Sequence, residues 1–446
     1  MSAYESYTQL NIPWLTKIPT HWKLLRNRDV FSEKSELVGD EYGKYTLLSL
    51  TTKGVIPRDL ESGKGKFPKD FKSYKIVQEG DMVFCLFDID ETPRTVGLSR
   101  QEGMLTGAYT IFGVRNIRPE YALYYYISLD NIKALRALYS GLRKTIKTEV
   151  FLSAKLPIPP VEEQDKIIQY LNWQTSRMNK LISAKREEIK KVQEAQHVQI
   201  RKKIMGMDKG NELVNTGIPW APYAPCYWKK EKYRNLFTEV NVKVGDKSKE
   251  YTLLSLTTNG VIVRDISSGK GKFPSDFSSY QEVLPGQFVF CLFDVDETPR
   301  TVGLSEEKGM ITGAYTVLNC NGANPEYLLW YFTVLDDEKA FKPIYSGLRK
   351  VINIDTFMRQ FLFLPPREEQ DRIVQEIKEI CNKNEHIISV FRREIEMLSD
   401  LKKQIISSVV TGQIDVRNIG IPDYEFVDED VDTDTEEETE SEEQEE

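Results

Sequence analysis

The stretch PPVEEQDKII at residues 159–168 marks the start of a long helix. Proline is tolerated in the first helical turn, and carboxylates are stabilised at the positive end of the helix dipole, so Pro160 followed by Glu162 and Glu163 is a strong start signal. No proline or glycine follows until Gly206. About 45 residues can therefore be helical, which makes a rod of ~65 Å. The stretch returns as PPREEQDRIV at residues 365–374 and predicts a second rod.

The whole chain repeats at the same offset of 206 residues. Tyr45 begins YTLLSLTTKGVIPRD and Tyr251 begins YTLLSLTTNGVIVRD, while FCLFDIDETPRTVGLS from Phe84 returns as FCLFDVDETPRTVGLS from Phe290. Residues 45–112 and 251–318 share 49 identities in 68 positions, whereas the rods 161–206 and 367–412 share 13 in 46. The chain is a tandem duplication. Its globular parts are more alike than its rods.

Each copy mixes strands with helix. Short β-branched and aromatic runs such as YTLLSLTT, MVFCLF and GAYTIFGV predict strands, and residues 119–138 predict helix. The fold class is therefore α/β. Apolar side chains recur along the rods at steps of three, four or seven, so we expect the rods to pair as an antiparallel coiled coil. The alternative is that each rod packs on its own domain, which the length of the rods disfavours. The spaced residues are Leu171, Met178, Ile182, Ile189 and Val192 in the first rod, and Ile377, Ile380, Ile387, Phe391, Leu398, Leu401 and Ile405 in the second.

The composition and charge of the chain disfavour a metal-binding, disulfide-rich, membrane-spanning or secreted protein. The chain has 446 residues and a net charge of −8, but Asp423–Glu446 hold 15 acidic and no basic residues, so residues 1–422 carry a net charge of +7. A block of like charge with few apolar residues predicts a disordered tail. The five cysteines include no CxxC pair and the three histidines lie far apart, which disfavours a metal site or a disulfide framework. Neither a membrane-spanning run nor a secretory signal is present, so we expect a cytoplasmic protein.

Several repeated motifs together resemble the specificity subunits of type I restriction–modification systems. They are IPTHW (18–22), GDMVF (80–84), GMLTGAYTIF (103–112), SGLRKTIKTEVF (140–151) and PIPPVEEQDKII (157–168) with the rod that follows. The resemblance covers residues 10–412. Family members generally carry dissimilar recognition domains and similar rods, whereas this chain has the reverse.

The resemblance implies a domain plan. Two pseudo-symmetric target-recognition domains, at residues 1–158 and 207–364, would each read half of a split double-stranded DNA site. Spacer helices at 159–206 and 365–412 would hold the halves apart and dock two methyltransferase subunits, and restriction/translocase subunits would join for cleavage. Residues 413–446 form a C-terminal extension. The cofactors S-adenosylmethionine, ATP and Mg²⁺ are expected on the partner subunits, and none on this chain.

Basic residues in loops are the candidates for DNA contact. In the GKGK loops at residues 63–66 and 269–272, lysines alternate with glycines. Lysine can pair with a DNA phosphate, and glycine lets the backbone N–H approach the phosphate oxygen closely. The alternative is a hairpin turn with solvated lysines; the loop lacks the Walker A spacing. The Arg-Lys pairs after Ser-Gly could contact DNA, lie in solvated turns or dock a methyltransferase. Arg94 and Arg300, in DIDETPRT and DVDETPRT, could read bases or phosphates, or belong to a self-satisfied turn. The set is Lys64, Lys66, Arg94, Arg143, Lys144, Lys270, Lys272, Arg300, Arg349 and Lys350.

The sequence carries no visible methyl-transfer chemistry. It has no N/D-P-P-F/Y turn to hold a flipped base and no F-x-G-x-G loop for S-adenosylmethionine. We therefore predict a non-enzymatic DNA-reading subunit. Because the two recognition domains nearly match, its split target should be an inverted repeat. The alternative function is a stand-alone DNA-binding or regulatory protein without methyltransferase partners.

Overall fold

The computed structural model describes residues 3–58, 71–139, 144–207, 210–264, 276–345, 347 and 349–428. These residues form two compact units. Unit 1 comprises residues 3–186 and 392–428, and unit 2 comprises residues 187–391. The divisions fall inside the rods and not at residues 158, 206, 364 and 412, so the five-part division of the chain stays a prediction.

The strands of unit 1 are β1 (Tyr7–Ile12), β2 (Leu15–Pro19), β3 (Lys23–Arg26), β4 (Phe31–Lys34), β5 (Leu48–Thr51), β6 (Gly54–Pro57), β7 (Lys75–Val77), β8 (Met82–Phe84), β9 (Val96–Leu98), β10 (Gly103–Leu105), β11 (Thr110–Val114) and β12 (Lys155–Ile158). Its helices are α1 (Asn27–Val30), α2 (Pro119–Asn131), α3 (Thr148–Ser153) and the first part of α4 (Val161–Ile204). Short 3-10 helices span Gly39–Lys44 and Ala134–Leu138.

Unit 2 repeats this order. Its strands are β13 (Leu213–Ile218), β14 (Ala221–Pro225), β15 (Lys229–Lys232), β16 (Phe237–Val240), β17 (Leu254–Thr257), β18 (Gly260–Val263), β19 (Gln281–Val283), β20 (Phe288–Phe290), β21 (Val302–Leu304), β22 (Gly309–Ile311), β23 (Thr316–Cys320) and β24 (Phe361–Leu364). Its helices are α5 (Tyr233–Leu236), α6 (Pro325–Asp337), α7 (Ile354–Arg359) and the first part of α8 (Arg367–Val410), with 3-10 helices at Gly245–Glu250 and Lys342–Ile344.

A four-stranded antiparallel sheet forms the centre of each unit. Its order is β4-β11-β8-β9 in unit 1 and β16-β23-β20-β21 in unit 2, and the remaining described strands pair two by two. In unit 1 the sheet buries Phe31, Phe84 and Phe112 against Tyr126 of α2 and Phe151 of α3. Neighbouring rings in this cluster lie 4.8–6.2 Å apart, a spacing at which aromatic pairs are stabilising.

One glycine of the repeated motif VGLS is explained by packing. The hairpin β5–β6 lies over β9, and a Cβ atom at Gly97 would stand 2.6 Å from Leu50 Cδ1 and 2.9 Å from Val55 Cγ2. In unit 2 a Cβ atom at Gly303 would meet Leu256 and Val261 in the same way. The glycine is repeated because a side chain there would push the hairpin off the sheet.

Both rods are continuous helices of 44 residues, as the sequence predicts. Within unit 1, Lys402 Nζ lies 3.1 Å from Asn179 Oδ1 and Lys185 Nζ lies 3.1 Å from Glu394 Oε2. Residue numbers rise along one helix as they fall along the other, so the helices are antiparallel there. Within unit 2, Gln196 Nε2 lies 3.6 Å from Cys381 Sγ and Lys203 Nζ lies 2.6 Å from Glu376 Oε2, with the same sense.

Both ends of each rod also pack on a globular part: the start packs on the rod's own domain, as the alternative interpretation required, and the end packs on the other domain. Leu171 and Met178 of α4 and Ile405 of α8 belong to the apolar core of unit 1. Ile200 of α4 and Ile377 of α8 belong to that of unit 2. The two interpretations therefore hold together: each rod pairs with the other, and each unit receives the start of one rod and the end of the other.

The repeated PP-x-EEQ motif is structural. Gln164 is buried at the start of α4, donates to the Pro159 carbonyl (2.9 Å) and accepts from the Arg118 backbone N–H (2.9 Å) just before α2. Gln370 does the same with Pro365 (2.8 Å) and Asn324 (2.7 Å). The glutamine thus joins the first turns of two helices by satisfying backbone groups that have no helical partner.

The described part of the C-terminal extension, residues 413–428, packs on unit 1, and we call it the strap. Val416 is fully buried, the Arg417 guanidinium lies 5.0 Å from the centre of the Tyr4 ring, and Ser176 Oγ of α4 bonds both the Glu425 carbonyl and the Val427 N–H. The backbones of Glu425 and Val427 therefore have partners on α4, and the disorder expected from Asp423 onward stays a prediction. Residues 429–446 lie outside the described residues.

The mixed α/β class and the layout of two domains with two long paired helices are confirmed. Among the described residues, no helix combines the length and apolar character that crossing a bilayer requires.

Candidate DNA interface

Two loops of each unit are brought into contact by an acid–base clasp. In unit 1, Asp90 accepts a hydrogen bond from the Tyr139 hydroxyl (2.9 Å), and Glu91 lies 2.9 Å from Lys144 Nζ. We call these four residues the clasp of unit 1. Arg136 adds a second cation 3.2 Å from Asp90. The clasp joins the DIDETPRT loop, between β8 and β9, to the loop that carries YSGLRK.

Unit 2 repeats the clasp almost atom for atom. Tyr345 donates to Asp296 at 2.9 Å, and Lys350 Nζ lies 3.0 Å from Glu297. Lys144 and Lys350 both have a backbone φ of +44°, an uncommon conformation for residues other than glycine. The same local geometry is therefore built twice, from segments of nearly identical sequence.

The clasp is charged near neutral pH. The hydrogen bond from Tyr139 lowers the pKa of Asp90, and the hydrogen bond to Glu91 raises the pKa of Lys144. A carboxyl with a lowered pKa stabilises the folded loop above about pH 4 and loses this effect as the pH falls through its folded value. An amine with a raised pKa stabilises the loop below about pH 10 and loses this effect as the pH rises. Both contacts are therefore intact between these limits.

A buried carboxylate anchors the first loop to α2. The Asp130 side chain is 1 % exposed and accepts from Arg94 Nη1 (3.2 Å), the Thr95 N–H (3.1 Å) and hydroxyl (2.7 Å), and Lys133 Nζ (2.9 Å). Lys133 Nζ also donates to the Thr92 carbonyl (2.7 Å). A buried carboxylate needs such donors to replace the hydrogen bonds that it loses to water. The loop is consequently held at both ends, by Asp130 and by the clasp.

The anchor of unit 2 is equivalent. Asp336, 1 % exposed, lies 3.3 Å from Arg300 Nη1 and 3.0 Å from Lys339 Nζ, and accepts from the Thr301 N–H (2.9 Å). Arg300 also lies 2.7 Å from Asp337.

The predicted site residues divide into three groups. Arg94 and Arg300 have intramolecular carboxylate partners, which is the self-satisfied arrangement, and their contact with DNA stays a prediction. Lys144 and Lys350 lie in the clasps, half-buried, and Arg349 is exposed beside Lys350. The remaining candidates lie outside the described residues: Lys64, Lys66, Arg143, Lys270 and Lys272.

The sequence interpretation missed the residues that hold the loops. Asp130 and Lys133 lie outside the quoted motifs, and Tyr139 begins YSGLRK but is not among the predicted site residues. A signal exists in the duplication, because Asp336, Lys339 and Tyr345 occupy the same places. The DxDE segment also resembles a metal site in sequence; among the described residues, no group of His, Cys, Asp and Glu has an arrangement that could hold a metal ion.

Comparisons with known proteins agree with this layout. Residues 103–191, from β10 into α4, match the family model of the type I restriction modification DNA specificity domain. No curated protein matches the chain in a sequence search.

The comparison with solved structures gives one match of the same fold and two of lower similarity. A chain from a study of complex assembly and conformational transition of the type I R-M system is 14% identical, covers 89% of this chain and 99% of its own length, and has a TM-score of 0.59. The HsdS subunit of Thermoanaerobacter tengcongensis is 15% identical with a TM-score of 0.43, covering 89% of this chain and 98% of that one. The type I S subunit of M. genitalium is 11% identical with a TM-score of 0.33, covering 90% and 98%. One segment of the chain is thus similar to the type I restriction modification DNA specificity domain, and the chain shares its fold with a chain from a type I R-M system.

Proposed function

We propose that the chain is the non-catalytic subunit that reads a bipartite double-stranded DNA site for a type I restriction–modification complex, with one half-site for each unit. The observation that carries the proposal is the duplication of the clasp and its anchor. Loops that contact DNA must present their groups in a fixed geometry, and here two loop pairs of nearly the same sequence are fixed by equivalent contacts, apart from the bond of the Thr95 hydroxyl to Asp130, which Thr301 does not repeat. Identical surfaces favour identical bases.

The target should therefore be an interrupted inverted repeat. The recognition domains nearly match in sequence, and the rods are antiparallel where they pair within each unit, so we expect each unit to read the same bases on opposite strands of the duplex. We expect half-sites about one helical turn apart, or ~34 Å.

The chemistry would belong to partner subunits. Two methyltransferase subunits carrying S-adenosylmethionine would dock on the chain, and restriction subunits using ATP and Mg²⁺ would be recruited to them. The absence of a base-flipping turn and a methyl-donor loop from the sequence supports this division. Purified chain that methylated or cleaved DNA by itself would contradict it.

Sequencing the methylated bases in the genome of the host tests the proposal. One interrupted inverted repeat should be methylated, and it should become unmethylated when the gene for this chain is deleted. Two unrelated half-sites would overturn the symmetric target but not the DNA-reading role. If methylation is unaffected by the deletion and no methyltransferase co-purifies with the chain, it acts as a stand-alone DNA-binding protein.

A further inference from the structure

We infer that Glu91 and Glu297 read one base pair in each half-site, by accepting a hydrogen bond from the exocyclic amino group of cytosine in the major groove. The inference rests on the proposed DNA-reading function and assigns a specific contact within it. It begins from the unequal burial of the acidic residues in the two loops.

In each DxDE segment, one carboxylate faces solvent while its neighbour faces the protein. The Glu91 side chain is 73 % exposed and that of Glu297 is 72 % exposed, whereas Asp90 and Asp296 are 18 % and 16 % exposed. Asp90 has Tyr139 and Arg136 as partners, so it serves the fold of the loop. The outward position of the glutamate is therefore built by the loop and is the same in both units.

The backbone beneath the glutamate is fixed. The Glu91 N–H donates to the Asp88 carbonyl (3.0 Å), and Asp88 has a φ of +43°; Glu297 and Asp294 repeat this with 2.9 Å and +46°. The loop then continues directly into the residues anchored on Asp130 or Asp336. A side chain that reads a nucleobase needs a rigid backbone beneath it, because a loosely held side chain discriminates poorly between bases.

The charge of the glutamate distinguishes bases from phosphates. A carboxylate repels the phosphate backbone, whereas it accepts well from an amino group at a base edge, and Asp or Glu with cytosine N4 is the favoured pairing. In the free protein Lys144 lies 2.9 Å from Glu91 and offsets its charge. When DNA enters, Lys144 can turn to a phosphate while Glu91 meets the base, because the ammonium is carried on a long side chain. Lys350 and Glu297 have the same relation at 3.0 Å.

An ordinary surface ion pair is the competing explanation. Exposed lysine–glutamate pairs contribute only about 0–1 kcal/mol to stability, so stability alone gives little reason for this pair. The chain contains a comparison for it. Glu41 lies 2.9 Å from Lys44, with a side chain 63 % exposed, and its counterpart in unit 2 is Lys247.

The test uses the full-length chain and a library of duplexes randomised within the methylated motif. We would compare the wild type with Glu91→Gln, Glu297→Gln and the double variant, and with Glu41→Gln as the matched control. Glutamine has the same shape as glutamate, and it prefers adenine because it bonds both N6 and N7. Each single variant should lower the preference for cytosine about tenfold at one position of one half-site and raise that for adenine. The double variant should change both half-sites, and Glu41→Gln neither.

The outcomes separate the inference from the proposed function. If the wild-type chain selects a motif and the variants select the same bases at every position, the base contact is wrong and the DNA-reading role stands. The inference is also overturned if Glu91→Gln keeps its base preference but loses a co-purifying methyltransferase, since the clasp would then dock protein. A wild-type chain that selects no motif would overturn both.

Discussion

At the scale of single residues, the positions that organise the candidate site are buried and carry no recognisable motif. Asp130 and Asp336 each hold an arginine, a lysine and a threonine of the loop. Arg94, which the sequence suggested as a residue that contacts DNA bases, instead pairs with Asp130 of the same chain. Burial explains the difference. A carboxylate with 1 % exposure must collect nearby donors, and an arginine is the best donor within reach.

Substitution of the buried Asp130 should destabilise unit 1 and release the DIDETPRT loop at residues 88–95. Asp130→Asn leaves Arg94 and Lys133 without their anion, so we expect a loss of about 2 kcal/mol in the free energy of unfolding. Asp40→Asn is the control, because Asp40 and Lys72 form an exposed pair whose loss should cost under about 1 kcal/mol. Urea unfolding measures the loss of stability. Hydrogen exchange of the Thr95 amide, which donates to Asp130, measures the release of the loop. Equal effects of the two substitutions would show that Asp130 is not an anchor.

At the scale of elements, the same shape is kept in the two units by different side chains. In unit 1 Lys34 Nζ lies 2.8 Å from Asp81, whereas in unit 2 Val240 and Gln287 take these places and Gln287 donates to Asn319 (2.8 Å). Lys75 and Gln281 likewise both donate to the carbonyl of the equivalent tyrosine, Tyr109 or Tyr315. The surface of the sheet tolerates exchange, since each replacement restores a donor and an acceptor.

The junction between α2 and α4 does not tolerate exchange. Gln164→Leu would leave the Arg118 N–H and the Pro159 carbonyl without a partner, and we expect unit 1 to lose about 2–3 kcal/mol of unfolding free energy. Gln370→Leu should destabilise unit 2 by a similar amount. Gln169→Leu, at an exposed position of α4, is the control and should have little effect. Urea denaturation monitored separately for the two units distinguishes these outcomes, and a Gln164 variant as stable as the control would contradict the structural role of the motif.

At the scale of the whole molecule, charge is divided between a basic body and an acidic end. The strap is bonded to α4 at Glu425 and Val427, through Ser176 and Asn179. The 18 residues that follow contain 12 acidic and no basic side chains. We predict that this acidic segment competes with DNA for the basic surface of the chain. It should weaken non-specific binding most, because that binding depends almost wholly on phosphate charge.

Removal of this segment tests the competition. Truncation after Asp428, which keeps the strap, should raise the affinity for random-sequence DNA severalfold at low salt and change the affinity for the cognate motif less. The difference should disappear as salt is added, because salt screens both interactions. Electrophoretic binding assays over a salt series measure both affinities. Unchanged non-specific affinity would mean that the segment only increases solubility.

The amino-acid sequence by itself determined the duplication, the two 44-residue helices and the mixed class, because helix starts, apolar spacing and repeats are local or linear signals. It also indicated the family. Only the tertiary structure decided which residues of the repeated loops face inward. It placed Asp130 under Arg94, Asp90 beside Tyr139, and the strap on Ser176, contacts that join residues 36, 49 and 249 positions apart in the chain. The physical reason is that burial and donor geometry depend on neighbours in space, and no spacing along the chain encodes them.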